Sequence, residues 1–200
     1  AAEALGRIGV RSAVPAILGS LALPDSHDRV LEHSLTYALI EIGDPEATMK
    51  GLSDPNPRVR RAALAALDQM EGGKLEPLSV AALLTAPDSE LKDTASWVLG
   101  RHPEWAGELA GFLRDRLLKA ELPASERTEL ERQLAKFASA KAIQTMLADR
   151  VGDPNTPTVV RLSGLKAMAL SGLKDVPAAW IATLTSLLKS DHAEINAQAV

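Results

Sequence analysis

The sequence predicts an all-α fold built from antiparallel helix pairs, and three observations lead to this prediction. Ala and Leu supply 64 of the 200 residues against 18 Ile plus Val, so the apolar residues favour helices over strands. Apolar residues recur at helical spacing along the whole chain, in segments of about 8 to 16 residues. Short breakers rich in Pro, Gly, Asp and Ser separate these segments, and such short connections place neighbouring helices antiparallel.

A recurring helix ending indicates a repeat. Leu, two residues and an apolar residue close a helix at six places, which begin at Leu5, Leu39, Leu67, Leu99, Leu134 and Leu170; the fourth has His102 in the apolar position. Spacings of 34, 28, 32, 35 and 36 residues fit a two-helix unit with variable loops. We therefore expect a single array over residues 1–200, with approximate repeats at 1–9 (half), 10–43, 44–71, 72–102, 103–138, 139–173 and 174–200 (partial).

Four stretches carry a resemblance to a known family: AAEALGRIG, SAVPAILGSLA, DPNPRVRRAALAALDQM and DSELKDTASWVLG. With Pro near the start of a first helix, an Asp turn, and Val-Arg then Ala-Leu in a second helix, they resemble the HEAT repeats. The match is strongest over residues 54–70 and weakest over 105–137. The resemblance implies a right-handed α-α superhelix, a HEAT-like solenoid of about five to six antiparallel helix pairs whose second helices line the concave face.

Two further stretches, VLGRHPEWAGELAGFLRDRL and ELERQLAKFA, are similar to the HEAT region of large planctomycete-type multidomain proteins. That resemblance implies a bacterial, extracytoplasmic parent that also carries a dehydrogenase-like β-propeller and a c-type haem domain. This chain has no Cys and therefore no haem attachment residues. Both ends of the chain lie within helical patterns, so we expect a domain fragment of a longer protein whose end helices fray or pair end to end with another copy.

The composition of the chain argues against several classes of partner and site. The net charge of −4 argues against nucleic acid as a partner, and the absence of Cys excludes disulfides and thiolate metal sites. No apolar run approaches the ~18 residues of a membrane span, so we expect no span in this fragment, and its first residues do not show a basic segment followed by an apolar stretch. With only six aromatic residues, there is little material for an aromatic cofactor pocket, and we expect no cofactor.

Alignment of the second helices on their ending Leu selects a candidate interaction surface. In the third such helix the face opposite the buried one carries Arg61, Leu64, Ala65 and Asp68. The same positions on the neighbouring helices complete a candidate surface of His33, Tyr37, Arg61, Asp93 and Trp97. Tyr, Trp and Arg dominate interaction hot spots, which points to a protein partner or a neighbouring domain of the same chain. The alternative is that Tyr37 and Trp97 wedge between repeats as packing.

Other chemistries have weaker support. Phosphate would suit the basic residues Arg58, Arg60 and Arg61, with Arg101 and the trio Arg114, Arg116 and Lys119, as in HEAT-like DNA glycosylases, but acidic residues lie among them. His27, His33, His102 and His192 fall in different repeats, so we expect no metal site, and no catalytic constellation is present. We therefore expect a non-catalytic interaction or scaffolding module. The alternative is a HEAT-repeat enzyme or accessory subunit with a concave-face site, either glycosylase-like or like the phycobilin lyases, which share the AAEALGRIG style of repeat.

Overall fold

The computed structural model describes residues 2–23, 28–188 and 193–199, and these ranges contain thirteen α-helices, short 3-10 turns and no strand. The all-α helical-repeat fold class predicted from the sequence is confirmed. Contacts divide the chain into two compact units, residues 1–99 and 100–200. Among the described helices, none combines the length and apolar character that a bilayer crossing needs.

Unit 1 contains the first seven helices. They are α1 (Ala2–Ile8), α2 (Val14–Leu21), α3 (Arg29–Ile42), α4 (Pro45–Met49), α5 (Pro57–Gln69), α6 (Pro77–Ala82) and α7 (Ser89–Arg101, which belongs to the unit as far as Leu99). Helices α1, α3 and α5 pack side by side, while α2 and α4 cover them from the other layer. The longer helices α3, α5 and α7 are the second helices of their pairs and carry the predicted surface.

The helix starts follow from local chemistry. Asp44 caps α4 through its carboxylate, and Pro45 occupies the first turn. Before α5, Asp54 closes the turn and Asn56 caps the helix that Pro57 begins. The Asp and Pro residues that were predicted to separate helices therefore form a turn first and an N-cap directly after it at the start of α5.

The core of unit 1 is aliphatic. Its buried residues are Val14, Ile17, Leu18, Leu21, Leu35, Ala38, Leu39, Ile42, Val59, Ala62, Ala63, Ala66, Leu67 and Met70. The alanines of α5 allow close approach of the neighbouring chain: a Cβ added to Gly51 would lie 2.8 Å from the Cβ of Ala63. Gly51 therefore permits the tight contact between the 3-10 turn after α4 and helix α5.

Unit 2 contains six helices after the end of α7. They are α8 (Ala106–Leu117), α9 (Ala124–Lys136), α10 (Lys141–Gly152), α11 (Thr158–Leu170), α12 (Ala178–Leu187) and α13 (Ala193–Ala199). Helices α8, α10 and α12 contact one another in order, as do α9, α11 and α13, and each helix also packs on its own partner. This unit is thus a stack of two layers.

Buried polar groups join neighbouring helices of unit 2. The Trp180 indole N–H of α12 donates to the carbonyl of Gln144 at 2.9 Å, and the Arg161 Nε of α11 donates to the carbonyl of Val151 at 2.9 Å. Both side chains are almost fully buried, so these bonds satisfy groups that would otherwise destabilise the core. Trp180 therefore packs in the core of unit 2.

The sixth predicted helix ending lies three residues too far along the chain, because it runs from Leu170 to Leu173 and α11 already ends at Leu170. Leu170 is 57 % exposed, whereas Met168 is buried. The buried face of α11 runs through Val160, Gly164 and Met168, at intervals of four residues. Leu170 lies two positions further along, which turns its side chain about 200° away from this face.

Candidate interaction surface

A groove in unit 1 lies along the second helices α3, α5 and α7. Its volume is about 660 Å³, and its lining consists of Arg29, Glu32, His33, Thr36, Tyr37, Ile40, Arg58, Arg61, Ala65, Gln69, Glu90, Asp93 and Thr94. We call this surface the unit 1 groove. Four of the five predicted residues line it: His33, Tyr37, Arg61 and Asp93. Trp97 follows Asp93 by one helical turn on α7 and is 44 % exposed.

The floor of the unit 1 groove holds an arginine between two glutamates. Arg61 donates from Nε and Nη2 to Glu32 Oε1 at 3.0 and 2.6 Å, and from Nη2 to Glu32 Oε2 at 2.7 Å. Its Nη1 also contacts Glu90 Oε2. The Arg61 and Glu32 side chains are largely buried, whereas that of Glu90 is mostly exposed. A bidentate pair of this kind fixes the guanidinium in one orientation.

The sequence prediction missed Glu32 and Glu90, although a signal was present. Each lies 29 residues from Arg61, one before it and one after it. When the helices are aligned on their ending Leu, Arg61 corresponds to His33 on α3 and to Asp93 on α7. This alignment compares backbone positions and does not take side-chain length into account. Helical side chains lean toward the N-terminus, so a long arginine meets residues slightly upstream of its aligned neighbours.

Tyr37 lies on the α3 wall of the groove and is 47 % exposed. A hydrogen bond to the Glu41 carboxylate, followed by the negative charge of Glu41, raises the pKa of the Tyr37 phenol. The phenol therefore remains a neutral donor at physiological pH. Its exposed ring is well suited to contact with a partner.

Tyr37 and Trp97 are partly exposed, whereas Leu64, which was predicted to lie on the open face, is buried. Tyr37 and Trp97 both retain more than two fifths of their surface in solvent, so neither ring is a fully packed core residue. Leu64, however, is fully buried, and its predicted place on the open face is wrong. Leu64 is buried on the flank of α5, because a helix with neighbours on both sides buries more than one narrow stripe.

The predicted basic clusters do not form a uniform basic face. In the unit 1 groove, Arg29, Arg58 and Arg61 are interspersed with Glu32, Glu90 and Asp93. In unit 2, Arg114 bonds to Asp115. Arg116 is 6 % exposed, pairs with Glu126 at 3.4 Å and lies 6.0 Å from the ring centre of Phe112. Burial lowers the pKa of Arg116, and its guanidinium is committed to internal contacts.

Histidines and acidic groups provide no cluster of metal ligands in the part of the chain that the structure describes. His33 lies in the groove, and His102 stacks on Trp105 with ring centres 3.9 Å apart. His27 and His192 lie outside the described residues.

A second cavity of about 310 Å³ lies within unit 2, between α11 and α12. Leu165, Met168, Trp180 and Leu184 make its wall mainly apolar, and Ser171 and Gln198 add polar atoms. None of the residues around it is titratable, so the described lining offers no acid, base or charged nucleophile. The unit 1 groove therefore remains the candidate site.

Comparison with known proteins bears on the class of the fold. The family model described as HEAT repeat matches residues 47–70, which include the end of α4 and all of α5. This stretch is a HEAT-like helical repeat, and its helix α5 contributes Arg61 to the groove. The chain is also similar to the crystal structure of an engineered protein, with 21% identity over 93% of each chain and a TM-score of 0.43. No curated protein matched the chain.

Proposed function

We propose that this chain is a helical-repeat scaffold whose unit 1 groove binds a segment of a partner protein or of a neighbouring domain in its parent protein. One observation carries the proposal. Three successive second helices line a single groove of about 660 Å³. The exposed Tyr37 lies on its α3 wall, and the exposed Trp97 lies on α7, one helical turn after the lining residue Asp93.

The composition of the unit 1 groove suits a peptide segment. Tyr37, Ile40 and Ala65 offer apolar contact, while Glu90, Asp93 and Arg29 provide charges of both signs. Tyr and Trp bury a large area at a small cost in side-chain entropy, which is why they recur in hot spots. Helical repeats expose such surfaces readily because each repeat packs only against its neighbours.

A non-catalytic role accounts for the ionisable groups better than the enzyme alternative. Arg61 is bonded to Glu32 and Glu90, and Tyr37 is bonded to Glu41. These groups are paired with one another instead of converging on an open point where a reacting atom could lie. The mixed charge also differs from the basic surface that a glycosylase-like duplex grip needs.

The neighbouring-domain form of the proposal draws on the planctomycete-type resemblance of residues 98–117 and 129–138. In that arrangement the groove holds a propeller or haem domain of the same parent in a fixed position, in an extracytoplasmic compartment. The flanking coding sequence tests this form directly. Propeller repeats or a haem attachment motif on either side would support it, and flanks without them would remove it.

A peptide selection tests the groove itself. Random twelve-residue peptides displayed on phage are selected on the wild-type chain, and the enriched peptides are then measured against Tyr37→Ala, Trp97→Ala and Leu78→Ala. Leu78 is an exposed apolar residue of unit 1 outside the groove and serves as the matched control. We expect affinity to fall about tenfold or more in the two groove variants, as for hot-spot aromatics, and to stay unchanged in the control. Enriched peptides that ignore both groove variants, or no enrichment at all, would overturn the proposal.

A further inference from the structure

One face of α7 carries acidic and aromatic residues in a line beside the groove. Glu90, Asp93 and Trp97 lie at positions i, i+3 and i+7, so they share this face over about two helical turns. Glu90 and Asp93 line the groove, and Trp97 continues the line at its edge. All three side chains are exposed. We call them the α7 stripe.

The carboxylates at the α7 stripe outnumber the cations that contact them. Arg61 reaches the stripe through Glu90, but most of its hydrogen bonds go to Glu32. The Asp93 carboxylate forms no ion pair or side-chain hydrogen bond with the residues in 2–23, 28–188 and 193–199. The Arg61 guanidinium thus pairs with two carboxylates, those of Glu32 and Glu90, and the Asp93 carboxylate adds a further exposed negative charge on α7.

The opposite wall of the groove differs in charge. Arg29 and His33 lie on α3, and Arg58 lies at the start of α5. The charged groups with which helix α7 lines the groove are thus all acidic, whereas α3 and α5 together contribute Arg29, Arg58 and Arg61 against Glu32. A partner segment placed in it meets this difference in charge from one wall to the other, which selects its orientation as well as its composition.

We infer that the partner segment places an arginine or lysine over the α7 stripe, an inference that rests on the proposed function of the unit 1 groove. The cation balances the carboxylates of Glu90 and Asp93. Its methylene stem and charge also pack favourably on the indole of Trp97, since cations are attracted to the faces of aromatic rings. An aliphatic side chain of the same segment contacts Tyr37 and Ile40.

The same peptide selection tests this inference with a different set of variants. The peptides that depend on Tyr37 are measured against the wild type, Glu90→Gln/Asp93→Asn and the control Glu71→Gln. Glu71 is an exposed acid of unit 1 outside the groove, so its variant also removes a negative charge. Each peptide is also synthesised with every Arg and Lys replaced by Gln. Because Glu90 and Asp93 are exposed, the double variant retains the core, which circular dichroism confirms.

We expect groove-dependent peptides to be enriched in Arg or Lys. The double variant should weaken them about three- to tenfold, the range of one to two exposed or half-exposed ion pairs, and Glu71→Gln should leave them unchanged. The Gln-substituted peptides should bind the wild type and the double variant equally. Groove-dependent peptides that lack basic residues, or that bind the double variant as well as the wild type, would overturn the inference and leave the proposed groove intact. Binding that is independent of Tyr37 and Trp97 would instead overturn the proposed function.

If the unit 1 groove binds an acidic segment or a second copy of this chain, the binding experiments give different results. An acidic segment would be selected with Asp or Glu in place of Arg or Lys, and it would bind the double variant more tightly than the wild type. A second copy of this chain would shift the sedimentation coefficient of the wild type with concentration, and the double variant would abolish that shift. Either result would contradict a basic partner segment.

Discussion

The Arg61 guanidinium bonds in bidentate fashion to the Glu32 carboxylate, with distances of 2.6 to 3.0 Å from Nε and Nη2. This pair joins the second helices of two successive helix pairs, α5 and α3. The contact of Arg61 with Glu90 extends the connection to α7. One arginine therefore fixes three helices along the face that forms the groove.

Arg61→Met should destabilise unit 1 by about 1–3 kcal/mol, because Glu32 would remain largely buried without its partner. Glu90→Gln should cost less than about 1 kcal/mol, since its side chain is 67 % exposed and the pair is screened by solvent. Denaturant unfolding of Arg61→Met, Glu32→Gln and the double variant Arg61→Met/Glu32→Gln measures the coupling of the pair, and Glu90→Gln is measured beside them. A double variant that is no more stable than the sum of its single changes would contradict this account of the pair.

The fold could be predicted from the sequence because the patterns that determine the helices are local. Ala and Leu content, helical periodicity and the Asp and Pro breakers each act within a few residues, and the structure has helices where they predict them. The alignment of the second helices also predicted that His33, Tyr37, Arg61 and Asp93 share one surface, and in the structure all four line one groove. Whether that groove binds a partner stays a prediction.

The remaining features depend on side-chain reach and on neighbours, which a backbone alignment does not contain. Glu32 and Glu90 were missed because a long arginine extends upstream of its own position. Leu64 was misplaced because α5 has helices on both flanks. Leu170 was misplaced because a Leu ending was assigned where the buried face of α11 had already passed to Met168.

Gly51→Ala should destabilise unit 1 by about 1–3 kcal/mol. The added Cβ would lie 2.8 Å from Ala63 Cβ and 3.0 Å from Leu18 Cδ2, so the tight contact with α5 must open. Gly19→Ala is the matched control: it lies in α2 with no atom within 4 Å of its added Cβ, and Ala should stabilise the helix by about 0.5–1 kcal/mol. Opposite shifts in the denaturation midpoint are expected. Equal shifts would show that the close approach at Gly51 is not tight.

The Tyr37 phenol should titrate above its ordinary pKa of 10.0, chiefly because of its hydrogen bond to Glu41. Tyr37 is the only tyrosine, so the ultraviolet difference spectrum of the folded chain reports it alone. Glu41→Gln should lower the midpoint toward the ordinary value. Because the folded pKa is raised, the stabilisation is complete below the unfolded pKa and is lost as pH rises through the folded pKa. A midpoint unaffected by Glu41→Gln would exclude the carboxylate as the cause.

Unit 2 should promote weak self-association through exposed apolar side chains on and before α12. Val176 is 51 % exposed and Ile181 is 53 % exposed, and apolar side chains left in solvent favour association where they lie together. Sedimentation velocity over a wide concentration range should show a weight-average mass that rises with concentration. Ile181→Glu should suppress the rise, because association would bury an unpaired charge, whereas Leu78→Glu in unit 1 should not. A strictly monomeric wild type would refute the prediction. An equal effect of the two variants would show that general surface charge, and not the apolar surface of α12, controls association.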